Sequence, residues 1–169
     1  ILDVDALESE RLNVVLEEVD VAKLIRQVVS SFQKEAEKKN ISLYFYNSAS
    51  GICNANLDRL YFTQVVDNLI SNALKFSRSK TNVKVSLSSS NDKILLTVSD
   101  EGPGFTDEDK KFIFQKFKQL SARPTNGEKS TGLGLSIVKM YVELMGGKVW
   151  CESNVGEGAS FHIELKKSV

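Results

Sequence analysis

The run Asp67-Asn68-Leu69-Ile70-Ser71-Asn72-Ala73-Leu74-Lys75-Phe76-Ser77 constrains this chain more than any other stretch. Its apolar residues recur at helical spacing, and it reads as the later part of a buried helix over 57–76. Asn68 and Asn72 stand one turn apart on that helix, and Lys75 and Phe76 follow on the next turn. An asparagine turned inward loses its water and must be given hydrogen bonds or a metal ion. Two of them, followed by a cation, predict a lined cavity rather than a solvated face. A plainer reading stays open at this point, in which the amides cap a neighbouring loop and Lys75 snorkels to solvent.

The chain has 169 residues, enough for one domain with a substantial core. Its 22 basic and 22 acidic side chains cancel, and no long single-sign run occurs. That balance argues against a duplex nucleic-acid footprint and against a polybasic membrane patch. Apolar stretches are helix- or strand-sized, so no membrane span is expected. Ile1 follows neither a methionine nor a signal-peptide pattern, and the chain reads as a piece of something longer, with any membrane anchor lying outside it. Cys53 and Cys151 lack metal-ligand spacing. They read as free thiols in a reducing, cytoplasmic compartment.

Residues 1–12 have the apolar spacing of a helix tail that began upstream, and 13–18 read as a short strand. Asp20 is a good N-cap for a helix over 21–39, which Asn40 suits as a terminator. Strand character follows at 41–46, and 48–56 reads as loop. After the asparagine helix, alternation predicts a hairpin of strands over 83–88 and 94–98, ending at Asp100. A short helix is expected over 106–117 and a long polar loop over 118–131. A helix over 133–145 and a last strand pair at 148–153 and 160–165 complete the chain. Helices alternating with hairpins predict an α+β two-layer sandwich: a mixed, mostly antiparallel sheet with about three helices packed on one face.

Three glycine-bearing elements follow the asparagine helix. In Asp100-Glu101-Gly102-Pro103-Gly104-Phe105, a strand-end carboxylate can accept a hydrogen bond from a ligand amino group, and the glycines allow close backbone approach. In Thr131-Gly132-Leu133-Gly134-Leu135, a loop enters a helix, and helix N-termini attract anions. Gly156-Glu157-Gly158, before Ala159 and Ser160, reads by itself as a hairpin connection. Each alone is weak. In this order they make a complete Mg-nucleotide site: amide oxygens suit hard Mg²⁺, Lys75 suits phosphate charge, and Asp100 suits the exocyclic amine of adenine.

The ordered set resembles the catalytic ATP-binding domain of sensor histidine kinases, within the wider Bergerat-fold group of ATPases. Asp67 to Ser77 is similar to the family's N box, Asp100 to Phe105 to its first glycine box, and Phe112-Ile113-Phe114-Gln115-Lys116-Phe117 to its F box. Thr131 to Leu135 is similar to the second glycine box, and Gly156 to Phe161 to the last turn. The resemblance implies a catalytic domain over 13–169 with an ATP lid over about 118–131, preceded at 1–12 by the end of a dimerisation helix. Asn72 matches the Mg²⁺-binding asparagine, Asn68 faces the same phosphates, and Lys75 matches the phosphate-contacting lysine. Phe76 matches an aromatic packed near adenine, and Asp100 takes the adenine amine. Gly102, Gly104 and Phe105 shape that pocket. Thr131, Gly132, Leu133, Gly134 and Leu135 sit at the lid hinge. Two positions depart from the family: Gln119 stands where an arginine is common, leaving Arg123, Lys118 and Lys116 unranked as substitutes. Ala159 stands where serine or threonine is common, which hands a hydroxyl role to Ser160 or leaves it empty.

Hydrolytic members of the group carry a glutamate at the position of Asn68. An asparagine is no useful general base, so the resemblance implies phosphoryl transfer instead of water attack. His162, the single histidine, reads as a strand residue, which places the acceptor histidine upstream of Ile1. The implied partners are the upstream dimerisation domain and the receiver domain of a response regulator, with the fragment monomeric and its parent dimeric. Two alternatives keep the fold: a degenerate ATP sensor, and a serine-directed kinase.

Overall fold

The computed structural model describes residues 12–116, 120, 125 and 132–168. Residues 1–11 of the helix tail expected at 1–12, Phe117 of the F-box stretch, and Lys118, Gln119, Arg123 and Thr131 of the expected lid lie outside the described residues.

Alternation along the central strands decides which face of the sheet is dry. In β4 (Asn82–Ser89), Val83, Val85 and Leu87 are fully buried while Lys84 is exposed between them. In β5 (Lys93–Asp100), Ile94, Leu96 and Val98 turn the same way. In β7 (Ala159–Lys166), Ala159, Phe161, Ile163 and Leu165 do so. Antiparallel register sets these residues side by side, Val85 opposite Val98 and Val98 opposite Phe161. A period of two can then bury a continuous apolar layer on one face only. With β2 (Ser42–Asn47) and β6 (Lys148–Ser153) at the edges, the strand order is β2-β4-β5-β7-β6. Only β2 and β4 run parallel, so the sheet is mixed and mostly antiparallel as expected.

The helices close the other side of that layer. α1 (Val21–Lys38) begins at Asp20, whose side chain accepts the Lys23 N–H at 3.1 Å. Asn40 follows its end in the left-handed region at φ 56°, a conformation asparagine tolerates. α2 (Arg59–Phe76) starts two residues later than periodicity suggests, because Asp58 and not an earlier residue caps it. α3 (Asp107–Phe112) is one short turn-and-a-half that ends at the first F-box phenylalanine, shorter than the 106–117 expected, and its capping box joins Thr106 and Asp109. α4 (Gly134–Leu144) ends in Met145-Gly146-Gly147. The buried stripes of α1, α2 and α4 join the inward faces of the strands in one core. Among the described residues no helix is long and apolar enough to cross a membrane.

One strand escaped the sequence reading. β3 (Asn54–Leu57) lies where loop is expected, and pairs antiparallel with β1 (Glu17–Asp20) in a separate two-stranded sheet. Its four residues alternate, with Ala55 and Leu57 fully buried, but two polar asparagine-class positions hide that pattern in the sequence. The pairing matters because it anchors the chain as it enters the domain.

Candidate functional site

The asparagines are not core residues. Leu69, Ile70, Ala73 and Leu74 make the buried stripe of α2, and Asn68, Asn72 and Lys75 run along its margin, half-buried. This corrects the expectation of inward-facing amides. Spacings of four and seven residues still set the three side chains on one line. The two amides face the start of α4: a Cβ added to Gly134 would lie 3.3 Å from Asn68 Oδ1 and 3.9 Å from Asn72 Nδ2. A side chain there would press directly on the amides, so glycine lets the helix terminus approach them. Leu133 at the N-cap of α4 makes no side-chain cap hydrogen bond, and among the described residues no side chain caps its first turn, the kind of helix start that suits an anion. Gly132 makes the turn into this helix at φ 72°, whereas Leu133 and Leu135 pack against the core.

Asp100 stands at the other end of the site. It terminates β5 opposite Ala159, on the helix-covered face of the sheet. Its Oδ1 accepts the Gly102 N–H at 2.8 Å. Burial pushes its carboxyl up to about 6, against the opposing pull of backbone hydrogen bonds from Gly102 and Ala159. The glycine turn joins this carboxylate to α2, because a Cβ on Gly102 would lie 2.8 Å from the Phe76 carbonyl oxygen and 2.9 Å from Asp100 Oδ1. Gly104 (φ 70°) and Gly158 (φ 80°) lie in the left-handed region, and a Cβ would strike the Asn154 carbonyl in one case and the Asp100 carbonyl in the other. Phe76 is half-buried beside this turn. Phe105 is buried, edge-on to Phe161 at 6.2 Å, and Phe114 meets the same ring at 6.3 Å. Phe105 therefore builds the wall from behind.

Ser160 does not join these residues. It is one position past Ala159, so the strand turns it to the opposite face, where its hydroxyl lies 2.8 Å from that of Ser99. Ala159 is the residue that shares a face with Asp100, and it carries no hydroxyl. His162 also lies on that opposite face. Its Nδ1 is 2.9 Å from the Thr97 hydroxyl, its ring stacks on Trp150 at 5.2 Å, and its Nε2 is 3.3 Å from Glu152. Both cysteines are free thiols, and burial pushes that of Cys151 up to about 12.

One contact was not foreseen. Thr125, within the expected lid, donates its N–H to the Lys75 carbonyl at 2.9 Å. Its hydroxyl lies 3.1 Å from that oxygen and 2.9 Å from the Ser77 carbonyl. It thus satisfies carbonyls that α2 leaves open at its end. A threonine after a proline carries no pattern that would have announced this.

A sequence profile described as "Histidine kinase-, DNA gyrase B-, and HSP90-like ATPase" matches residues 57–169. Sensor histidine kinase TmoS of Ectopseudomonas mendocina is 32% identical over 98% of this chain, which spans 17% of that relative's length. Among solved structures, the nucleotide-free catalytic domain of histidine kinase ThkA is 30% identical with a TM-score of 0.78, covering 90% of this chain and 96% of that one. ThkA in complex with the response regulator TrrA gives 27% identity and a TM-score of 0.80, over 98% of this chain and 45% of that one. Full-length ShkA in complex with AMPPNP gives 28% and 0.83, over 98% of this chain and 34% of that one.

Proposed function

The chain belongs to the histidine kinase-, DNA gyrase B-, and HSP90-like ATPase family, as a catalytic ATP-binding domain of the histidine-kinase kind, and from that premise we propose how its site works. The reading is transfer of the ATP γ-phosphoryl group to a histidine imidazole on a dimerisation segment outside this chain, and onward to a receiver aspartate of a response regulator. The observation that carries it is the pairing of Asn68 with the start of α4 at one end and a desolvated Asp100 carboxylate at the other.

Asp100, ionised, accepts a hydrogen bond from the adenine amine, and the Gly102 turn holds the carboxylate in place. Phe76 borders the base, and Gly104 and Gly158 keep the surrounding backbone close. Triphosphate charge lies between Lys75 and the N-terminal N–H groups of α4. The amide oxygens of Asn72 and Asn68 are hard donors, two of the few protein ligands that Mg²⁺ on a nucleotide needs, and they would hold it. When bound, that ion neutralises the negative charge that hinders attack on phosphorus. Asn68 offers no base to a water molecule, so hydrolysis is slow and the phosphoryl group awaits the imidazole. His162 is unsuited as acceptor: its Nδ1 is engaged with the Thr97 hydroxyl, its Nε2 is buried beside Glu152, its ring stacks on Trp150, and it lies across the sheet from the site.

The test is incubation of this domain with labelled ATP and a separately expressed upstream dimerisation fragment. Acid-labile, base-stable phosphate on that fragment is expected. ATP binding without transfer would instead mean a nucleotide sensor, and acid-stable label would mean a serine-directed kinase.

A further inference from the structure

Asp58 does two things at once. It is 7% exposed, unusually low for a carboxylate. Its Oδ1 accepts the Tyr61 N–H at 3.0 Å and caps α2. Its Oδ2 accepts the Val15 N–H at 2.9 Å, from chain 43 positions earlier. A cap requires one oxygen; the second is spent on the segment that enters the domain. Apolar contact beside this bond is thin, since Val15, Leu16 and Leu60 are 64%, 49% and 63% exposed, although Leu12 packs against the core. The nearby Arg59–Glu17 pair at 2.7 Å is solvent-exposed and contributes little.

The same joint reaches α4. Tyr61, whose N–H Asp58 holds, stacks on Tyr141 with ring centroids 4.4 Å apart. Burial raises the Tyr141 phenol, and the charges of Tyr61 and Asp58 add to that, which places the carboxylate within electrostatic reach of α4. At the far end of this α2–α4 contact, Gly134 abuts Asn68. Asp58 and Asn68 are ten residues apart on one helix, or about 15 Å. One interface between two helices therefore has a carboxylate joint at one end and the nucleotide site at the other.

We propose that Asp58 is a positioning residue: by tying Val15 to the cap of α2, it sets how α2 lies on α4, and so links the entering segment to nucleotide affinity. This rests on the nucleotide reading of the site. The link is reciprocal, because coupling between two binding events has one free energy.

Asp58→Asn tests it cleanly. Asparagine is as good an N-cap as aspartate, but with its one oxygen on the Tyr61 N–H, the NH₂ that replaces the second oxygen is a donor and cannot accept the Val15 N–H. The melting temperature of the nucleotide-free protein should move by only a few degrees. Affinity for ADP with Mg²⁺, by calorimetry, should fall about threefold to tenfold. Val15→Pro removes the donor from the other side and should reproduce that fall, and the double variant should be no weaker than either single one. In the wild type, saturating ADP should slow hydrogen exchange of the Val15 amide, and in Asp58→Asn it should not; this decides the matter if Val15→Pro does not fold. Unchanged affinity in Asp58→Asn, additive losses, or Val15 exchange indifferent to ADP would overturn the proposal. Failure of the wild type to bind ADP would overturn the nucleotide reading as well, whereas wild-type binding with an unaffected Asp58→Asn would overturn this proposal alone.

Discussion

The two ends of the site are built from opposite materials. At the Asp100 end, a half-buried but desolvated carboxylate at a strand terminus is held by backbone N–H groups and boxed in by glycines whose replacement would strike backbone. At the Asn68 end, half-buried side chains on a helix margin face the uncapped start of another helix. The first end is fixed before any ligand arrives and carries the cost of a desolvated carboxylate. The second keeps its groups near water, where a multiply charged, metal-bound phosphate chain can be received and released. On the proposed reading, binding specificity belongs to the rigid end and chemistry to the open one, and the two should fail differently when disturbed.

The largest effect is expected at the open end. Asn72→Ala removes an amide oxygen from the proposed Mg²⁺ and phosphate region without touching Asp100. Transfer to the dimerisation fragment should fall by about 10²- to 10³-fold, the scale found for losing one preorganised electrostatic contact. Adenosine, which has no phosphates, should bind as before. Loss of adenosine binding in this variant would mean that the two ends are not separable.

Asp100→Asn disturbs the rigid end, and its effects have opposite signs. One charge-assisted hydrogen bond to the base is lost, which weakens adenosine binding by roughly 1–3 kcal/mol. Stability of the ligand-free protein should rise. With the folded carboxyl pushed up to about 6, against 3.8 as the ordinary value, the folded state holds a proton that the unfolded state has released between those pH values. Stability of the wild type therefore declines as pH rises through that window and levels off above it. A difference of about two pH units corresponds to at most roughly 3 kcal/mol, part of which the buried amide of asparagine forfeits. Thermal melts of both proteins should diverge from pH 4 to pH 6 and run parallel above. Wild-type affinity for adenosine should fall as pH drops below about 6, because a protonated Asp100 no longer accepts the amine proton. Parallel melts across the whole range would mean that the carboxyl is not desolvated.

How far the sequence could reveal this depended on period and on chain distance. Helical spacing put Asn68, Asn72 and Lys75 on one line, and alternation gave β4, β5 and β7 their inward faces, because both patterns are local. Local pattern did not reveal β3, whose partner β1 lies more than thirty residues away, or that α2 shows its amides at a margin rather than in the core. Nor did it reveal the second oxygen of Asp58: an N-cap is legible, but its bond to Val15 is a tertiary event. Thr125 on the Lys75 carbonyl is another of that kind.

Ser160 shows the same limit at single-residue scale and carries the smallest predicted effect. The family pattern places a hydroxyl near this position, and in sequence Ser160 stands next to the alanine that replaces it. One residue along a strand, however, is a change of face. Asp100 pairs with Ala159 toward the helices, while Ser160 pairs with Ser99 on the far side, hydroxyl to hydroxyl at 2.8 Å. Removing that hydroxyl costs one half-buried hydrogen bond, about 1 kcal/mol of stability, and should leave nucleotide affinity within twofold of the wild type. Ala159→Ser is the informative counterpart, since it places a hydroxyl on the face that Asp100 occupies. If Ser160→Ala weakened adenosine binding as much as Asp100→Asn does, the register between β5 and β7 would have to be shifted by one residue, and with it the face on which the whole site is built.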